Sequence, residues 1–300
     1  MATAAASHRV GLRYPVIARR FKITAGTAVL VIAALYVLAP IYWLVIASSK
    51  SATSLFNSAT FLPAKHIVWG ANLHSLFTYG GGDFKWWLLN SFVYAIVTAT
   101  LATAVSTMCG YGLAKYRFKM RGAVFGLIVG SLMIPATALV VPLFLLEHAV
   151  GLTNTYEGVI LPLLVYPFGV YFMSIYCADA VPDVLMDSSR IDGAGEGRIL
   201  TKIARPLLMP GMVTMFLLSF IGTWNNYFLP LVLLGSQNRF PLTVGLSAWA
   251  SDLNQPGAGQ PLYPEVIIGS LISVLPMLIL FPFLQKYVAR GLSFGAVAGE

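Results

Sequence analysis

The amino-acid sequence predicts an all-α membrane protein with six transmembrane helices and a cytoplasmic helix between the fourth and the fifth. Three observations predict it. Hydrophobic residues make up 58% of the chain and charged residues only 10%, against about 25% charged in soluble domains. Six apolar segments contain no Asp, Glu, Lys, Arg or His, and each approaches or exceeds the roughly 20 residues that a helix needs to cross about 30 Å of hydrocarbon. The basic residues lie mostly on one side of these segments. Buried strands would be far shorter, and membrane barrels alternate apolar with polar residues, so helices are the reading that fits.

The elements follow in order. Residues 1–22, MATAAASHRVGLRYPVIARRFK, form a basic tail, and 23–300 form one membrane domain. The tail and the apolar run 25–47 have the polarity of a signal peptide, yet the run is long and lacks a clear small-residue cleavage site, so it reads as a retained first span. Residues 48–87 are long enough for an ordered cap on the outer surface, with Trp86 and Trp87 as interface anchors. The second and third spans, 88–114 and 122–146, flank the tight inner turn KYRFKMRG. After the short outer connection 147–157 comes the fourth span, 158–178. The fifth, 206–235, and sixth, 266–285, are joined by an outer segment containing NQPGAGQP, which reads as a mobile loop. Prolines 40, 135, 142, 162, 167, 230 and 276 lie within spans, where neighbouring helices re-satisfy the freed carbonyls and kinks are expected.

Six spans place both termini on one face. That face holds Arg9, Arg13, Arg19, Arg20 and Lys22; Lys115, Arg117, Lys119 and Arg121; Arg190, Arg198, Lys202 and Arg205; and Lys286 and Arg290. The other holds only Lys50, Lys65, Lys85 and Arg239. Cytoplasmic loops are the ones enriched in Lys and Arg, so the termini are cytoplasmic. The net charge of +8 is explained by orientation and anionic lipid, and argues against nucleic-acid binding. Cys109 and Cys177 lack paired-ligand spacing, and His8, His66, His74 and His148 are isolated, so no metal site or disulfide is expected.

One polar island interrupts the apolar chain: MDSSRIDGAGEGRILTKIARPLLMP, residues 186–210. Its GAGEG has no preceding strand and no Gly-Lys-Ser/Thr, so it is not a phosphate loop. Asp183 after Pro182 suits a helix start, two turns follow to Ile191, and Gly193 supplies a left-handed stop. Leu185, Ser188 and Ser189 then form one face with small residues, a knob suited to a groove. Ile199, Leu200 and Ile203 make an apolar stripe among Arg198, Lys202 and Arg205, read as a second helix lying at the membrane surface.

The order of parts in DSSRIDGAGEGRILTKIARPLLMP resembles the cytoplasmic signature loop of the membrane subunits of ATP-binding-cassette importers. Asp187, Ser188 and Ser189 stand where that family has Glu-Ala-Ala, and Asp192, Gly193 and Ala194 match its Asp-Gly-Ala. FIGTWNNYFLPLVLL at 220–234 is similar to the fifth helix of the maltose-type carbohydrate importers. RGLSFGAVAG at 290–299 is similar to their C-terminal tail, with Ala298 in place of a lysine. The resemblance implies a type I importer permease fold, with the coupling loop at about 183–205 and its run into the fifth span reaching 210. This would be a multi-pass subunit of a bacterial or archaeal cell membrane, not an enzyme and without a cofactor of its own. Its partners would be a second homologous permease, two ATPase subunits carrying ATP and Mg, and an extracytoplasmic solute-binding protein that delivers a sugar.

Within that resemblance Asp187, Ser188, Ser189, Arg190, Asp192, Gly193, Ala194 and Arg198 are the candidates for coupling to the ATPase. Asn90, Tyr94 and Thr98 recur every four residues on the second span, and Trp224, Asn225 and Asn226 sit in the fifth. Amides and aromatic faces suit a sugar pathway, and they equally suit interhelical hydrogen bonds. A secondary transporter is the alternative, but the spans lack the acid or histidine that ion coupling ordinarily uses. A membrane enzyme would need a clustered acid, nucleophile or metal site, and Asp179, Asp183 and Asp187 have no histidine beside them.

Overall fold

The computed structural model describes residues 16–253 and 262–296, all helix, turn and loop without a strand among them. Arg9 and Arg13 of the basic tail, the NQPGAGQP segment and Ala298 lie outside the described residues. Helix α1 (Val16–Ser48) already includes the end of the tail, and it packs against α14 (Tyr263–Ala296) with residues 26–40 exposed. The first outer connection is ordered, as expected. It contains α2 (Ala52–Asn57), capped by the Ser51 side chain, and α3 (Trp69–Thr78). Asn72 fastens it by donating to the carbonyls of Ser48 and Lys50, each at 2.9 Å.

Helix α4 (Asp83–Lys115) is the axis of the molecule, packed against α3, α7 (Tyr156–Leu164), α8 (Pro167–Ala180), α11 (Arg205–Trp224) and α13 (Leu242–Asp252). It is 33 residues long with no proline inside. Its small residues Ala95, Ala99, Ala102, Ser106 and Gly110 are buried and allow close approach of neighbours. A Cβ on Gly110 would lie 2.7 Å from the Met173 backbone of α8, so the two helices meet there at glycine distance. Trp87 does not anchor the interface as expected. It is buried, stacked obliquely at 4.5 Å on Trp249, whereas Trp86 is exposed. A helix beginning at Asp83, five residues before the apolar run 88–114, turns position 87 inward.

The third span is not straight. Helix α5 (Arg121–Ser131) and α6 (Val140–Ala149) are bent from one another by 97°, joined by a 3-10 turn at Ala136–Leu139. Pro135 cannot donate to a helical ladder, and short-range bonds such as Leu132 N to Val129 O and Ala138 N to Pro135 O satisfy the backbone through the corner. The fourth span is also two helices, α7 (Tyr156–Leu164) and α8 (Pro167–Ala180), at 40° across a break that Pro167 closes. Of the prolines expected to kink spans, Pro135 and Pro167 lie at these breaks, whereas Pro40, Pro162 and Pro276 lie inside continuous helices.

After α9 (Asp183–Ile191) and the single turn α10 (Glu196–Arg198), a π-helical segment at Ile199–Ala204 runs straight into α11 (Arg205–Trp224). The stripe Ile199, Leu200 and Ile203 therefore is not a separate surface helix. It is the first part of a continuous 29-residue helix from Glu196 to Trp224. The Arg205 amide reaches back to Leu200 O, and this widened turn lies where Pro206 and Pro210 would crowd the carbonyls four residues earlier. The fifth span also ends sooner than residue 235. It stops at Trp224, breaks at 225–227 and resumes as α12 (Phe228–Leu233). The outer segment beyond carries a 3-10 turn at Gln237–Arg239 and helix α13 (Leu242–Asp252), so part of what reads as loop is helical. Helix α14 (Tyr263–Ala296) is the last described element. Among the described residues four helices are long and apolar enough to cross a membrane, and six spans result when each bent pair counts as one.

Candidate functional site

The polar island folds against the end of α4 distant from Trp87. Helix α9 starts with Asp183 in its first turn, favourable at the positive end of a helix dipole. It closes in a Schellman motif: the Gly193 amide donates to Arg190 O at 3.0 Å and the Ala194 amide to Ser189 O at 2.9 Å. Gly193 has φ +79°, a left-handed conformation that glycine adopts without steric cost. This gives a physical reason for Asp-Gly-Ala. Asp192 caps the helix, Gly193 turns the chain, and Ala194 packs on the core beneath.

That core contains Tyr111, Met173, Cys177, Val181, Met186, Ile199, Ala204 and Leu208. Met186 and Ser189 are the buried positions of α9, and the Ser189 hydroxyl donates to Leu185 O at 2.6 Å. Ser189 therefore faces the protein and not the knob's outer surface, where spacing alone puts it with Ser188. The outer face is Val184, Asp187, Ser188 and Ile191, the i, i+3, i+4, i+7 set. Val184 is 80% exposed and Ile191 86%. Both large apolar side chains project from a face whose other residues are polar.

Charged side chains fix the loop from within. Arg190 donates to Asp187 Oδ1 at 2.9 Å and to Glu196 Oε1 at 2.8 Å, so it joins α9 to the start of the next helix. These carboxylates hold its guanidinium well above the ordinary arginine range. Tyr116 donates to Glu196 Oε2 at 2.6 Å. Lys115, its side chain almost fully buried, donates to Asp183 Oδ1 at 2.8 Å and to Ala178 O at 3.3 Å. The bond from Lys115, then its charge, holds the Asp183 carboxyl below its ordinary value. Arg198 and Asp192 are exposed. Lys115, Tyr116, Glu196, Val184 and Ile191 do not stand out in the sequence, although the seven-residue interval from Val184 to Ile191 was a usable sign.

The six pathway candidates do not converge on one cavity. Asn90 is buried, donates to the carbonyls of Asn238 and Phe240 at 2.8 and 3.1 Å, and accepts from the Tyr156 hydroxyl at 2.7 Å. Tyr94 donates to Arg239 O at 3.0 Å. Trp224 is buried, and its indole donates to Ser273 O at 3.2 Å. Thr98 is fully buried with its hydroxyl unpartnered. Asn225 is exposed and caps its own helix by donating to Ile221 O at 2.9 Å, while Asn226 offers its carbonyl to Thr243. Four of the six are thus enclosed by the fold, while Asn225 is exposed and Asn226 half-buried.

Residues 105–294, which include the whole island, match the family described as binding-protein-dependent transport system inner membrane component. The chain belongs to that family. It is a multi-pass permease subunit of a binding-protein-dependent importer and not an enzyme. The permease is 36% identical over 260 residues to the arabinooligosaccharides transport system permease protein AraQ of Bacillus subtilis (strain 168), covering 87% of this chain and 90% of that one. To the lactose transport system permease protein LacG of Rhizobium radiobacter it is 31% identical over 266 residues, covering 88% and 93%. Among solved structures, a chain of a bacterial ABC transporter involved in the import of the acidic polysaccharide alginate superimposes with a TM-score of 0.80. That match has 26% identity and covers 92% of this permease and 99% of that chain. Membership implies a second permease, an ATPase and a solute-binding protein as partners, with ATP hydrolysed on the separate ATPase subunit.

Proposed function

We propose that this permease forms half of the translocation pathway of an ATP-driven carbohydrate importer and couples to its ATPase through the outer face of α9. The carrying observation is that face: Val184 and Ile191 project apolar side chains on either side of Asp187 and Ser188, on a helix already fixed by its own salt bridges. Such a preformed knob docks without an ordering cost. Two ATPase subunits, each holding ATP and Mg, would receive the two knobs of a permease pair, and a solute-binding protein would deliver the sugar on the opposite face. Both termini and the loop 183–205 lie in the cytoplasm on this reading, within one membrane domain of residues 23–300, which the distribution of basic residues supports. Closure of the ATPases would push α9, and the helices that hold the loop would carry the push into the membrane.

The relatives' carbohydrate substrates make di- and oligosaccharides the first to try. Asn225 is the pathway candidate best placed to meet one, since its amide is displayed at a break in a span. The test is uptake into proteoliposomes that hold the permease pair, the ATPase and the binding protein. Sugar accumulation with ATP at the ATPase side and none without it is expected, and accumulation driven by an ion gradient alone would refute the reading.

A further inference from the structure

At the end of α4 away from the coupling loop, four side chains on one helical face bind the backbone of a single outer segment. Trp87 Nε1 donates to Gln237 O at 2.9 Å, Asn90 to Asn238 O and Phe240 O, and Tyr94 to Arg239 O, while Ser91 Oγ accepts from the Leu242 amide at 2.8 Å. Positions 87, 90, 91 and 94 follow the i, i+3, i+4, i+7 spacing that puts side chains over one another on a helix. All four are buried, and together they occupy every residue from 237 to 240 and the start of α13. At the other end of the same helix Lys115 holds Asp183 and Tyr116 holds Glu196, one on each side of the Schellman turn.

Between these ends α4 runs about 50 Å at 1.5 Å per residue. Among the described residues it is the long helix best suited to transmit a push. Helices α1, α11 and α14 contain internal prolines, and the third and fourth spans are broken. Proline and broken turns are two of the places where helices bend, and α4 has neither. We infer that α4 is a strut that carries the state of the coupling loop to the outer segment 237–242, with Lys115 and Tyr116 as the positioning residues that engage it. This rests on the coupling role proposed for α9. The strut turns movement of the ATPase beneath α9 into movement of a segment on the face where a solute-binding protein would sit.

The side chain of Asn238 is exposed and only its carbonyl is held, so Asn238→Cys places a reporter there. The labelling rate of this thiol by a membrane-impermeant maleimide would be compared in the assembled importer without nucleotide and with ATP plus vanadate. A severalfold nucleotide-dependent change is expected. Lys115→Met should reduce it towards none, and Tyr116→Phe, which removes only one hydroxyl, should reduce it in part, with the ATPase still co-purifying in both. A nucleotide response in Lys115→Met and Tyr116→Phe equal to that of the parent would overturn the strut. Failure of the ATPase to co-purify with the parent would instead overturn the docking role of α9.

Discussion

Gly193 shows how a single residue sets the end of a helix. Its left-handed φ admits an L side chain only at about 1–2 kcal/mol, yet no atom lies within 4 Å of the Cβ that alanine would bring. Gly193→Ala should therefore stay folded and lose a few degrees of thermal stability at most. Gly193→Pro fixes φ at a negative value and removes the amide that bonds Arg190 O. It should insert normally but lose ATP-coupled sugar uptake, and uptake at the parental rate would exclude the loop from the mechanism. Asp183 adds a pH dependence. Because Lys115 depresses its carboxyl in the folded chain, the contact stabilises α9 above the ordinary carboxylate value of about 4 and is lost as pH falls through the depressed value. Hydrogen exchange of the α9 amides, corrected for intrinsic rate, should show constant protection from pH 7 to about 5 and a fall only below the ordinary range. Asp183→Asn should lower it already at neutral pH. The stop at Gly193 was legible from sequence because a glycine after two helical turns has few other uses. The clamp was not, since Lys115 and Asp183 are 68 residues apart and nothing local pairs them.

On the scale of elements, α9 presents two different faces. Burying a side chain such as Ile191 against a partner contributes about 1.5–3 kcal/mol, or at least tenfold in affinity. Ile191→Ser should weaken binding of the ATPase by about that factor, measured by titration in detergent, while Ser189→Ala on the inner face should leave it unchanged. The opposite ranking would put the docking surface elsewhere. Helix α9 was readable because a Pro-Asp start and a Gly stop bracket it. The faces were harder, because three- and four-residue spacing groups Ser188 with both Ser189's side and Ile191's side until a packed core chooses. The corner between α5 and α6 was concealed for a related reason. Hydropathy records that residues 122–146 are apolar, and a 97° bend changes no residue type. Pro135 marked the place without giving the angle. The π segment before Pro206 is similar: two prolines foretold distortion, and the structure resolves it by widening a turn within an unbroken helix.

The whole molecule is a helical permease built around α4, with polar chemistry at its two ends and small-residue packing between. The six-span count came directly from composition. The pathway did not. Asn90, Tyr94 and Trp224 look like sugar ligands in a list of residues, but the fold binds their polar atoms to its own carbonyls. On this account Asn225→Leu should raise the sugar concentration needed for half-maximal uptake. Asn90→Leu should instead lower thermal stability, since it leaves buried carbonyls unpaired at about 1–3 kcal/mol. The central claim is that this permease works only as part of an ATP-driven assembly engaged through α9. It is tested most directly by purifying the chain from its native membrane in mild detergent and identifying by mass spectrometry what accompanies it, for the parent and for Ile191→Glu. The account predicts a second six-span permease and an ATPase with the parent, and the permease pair without the ATPase for the variant. Recovery of the parent chain alone, in a form that still transports sugar without ATP, would contradict it.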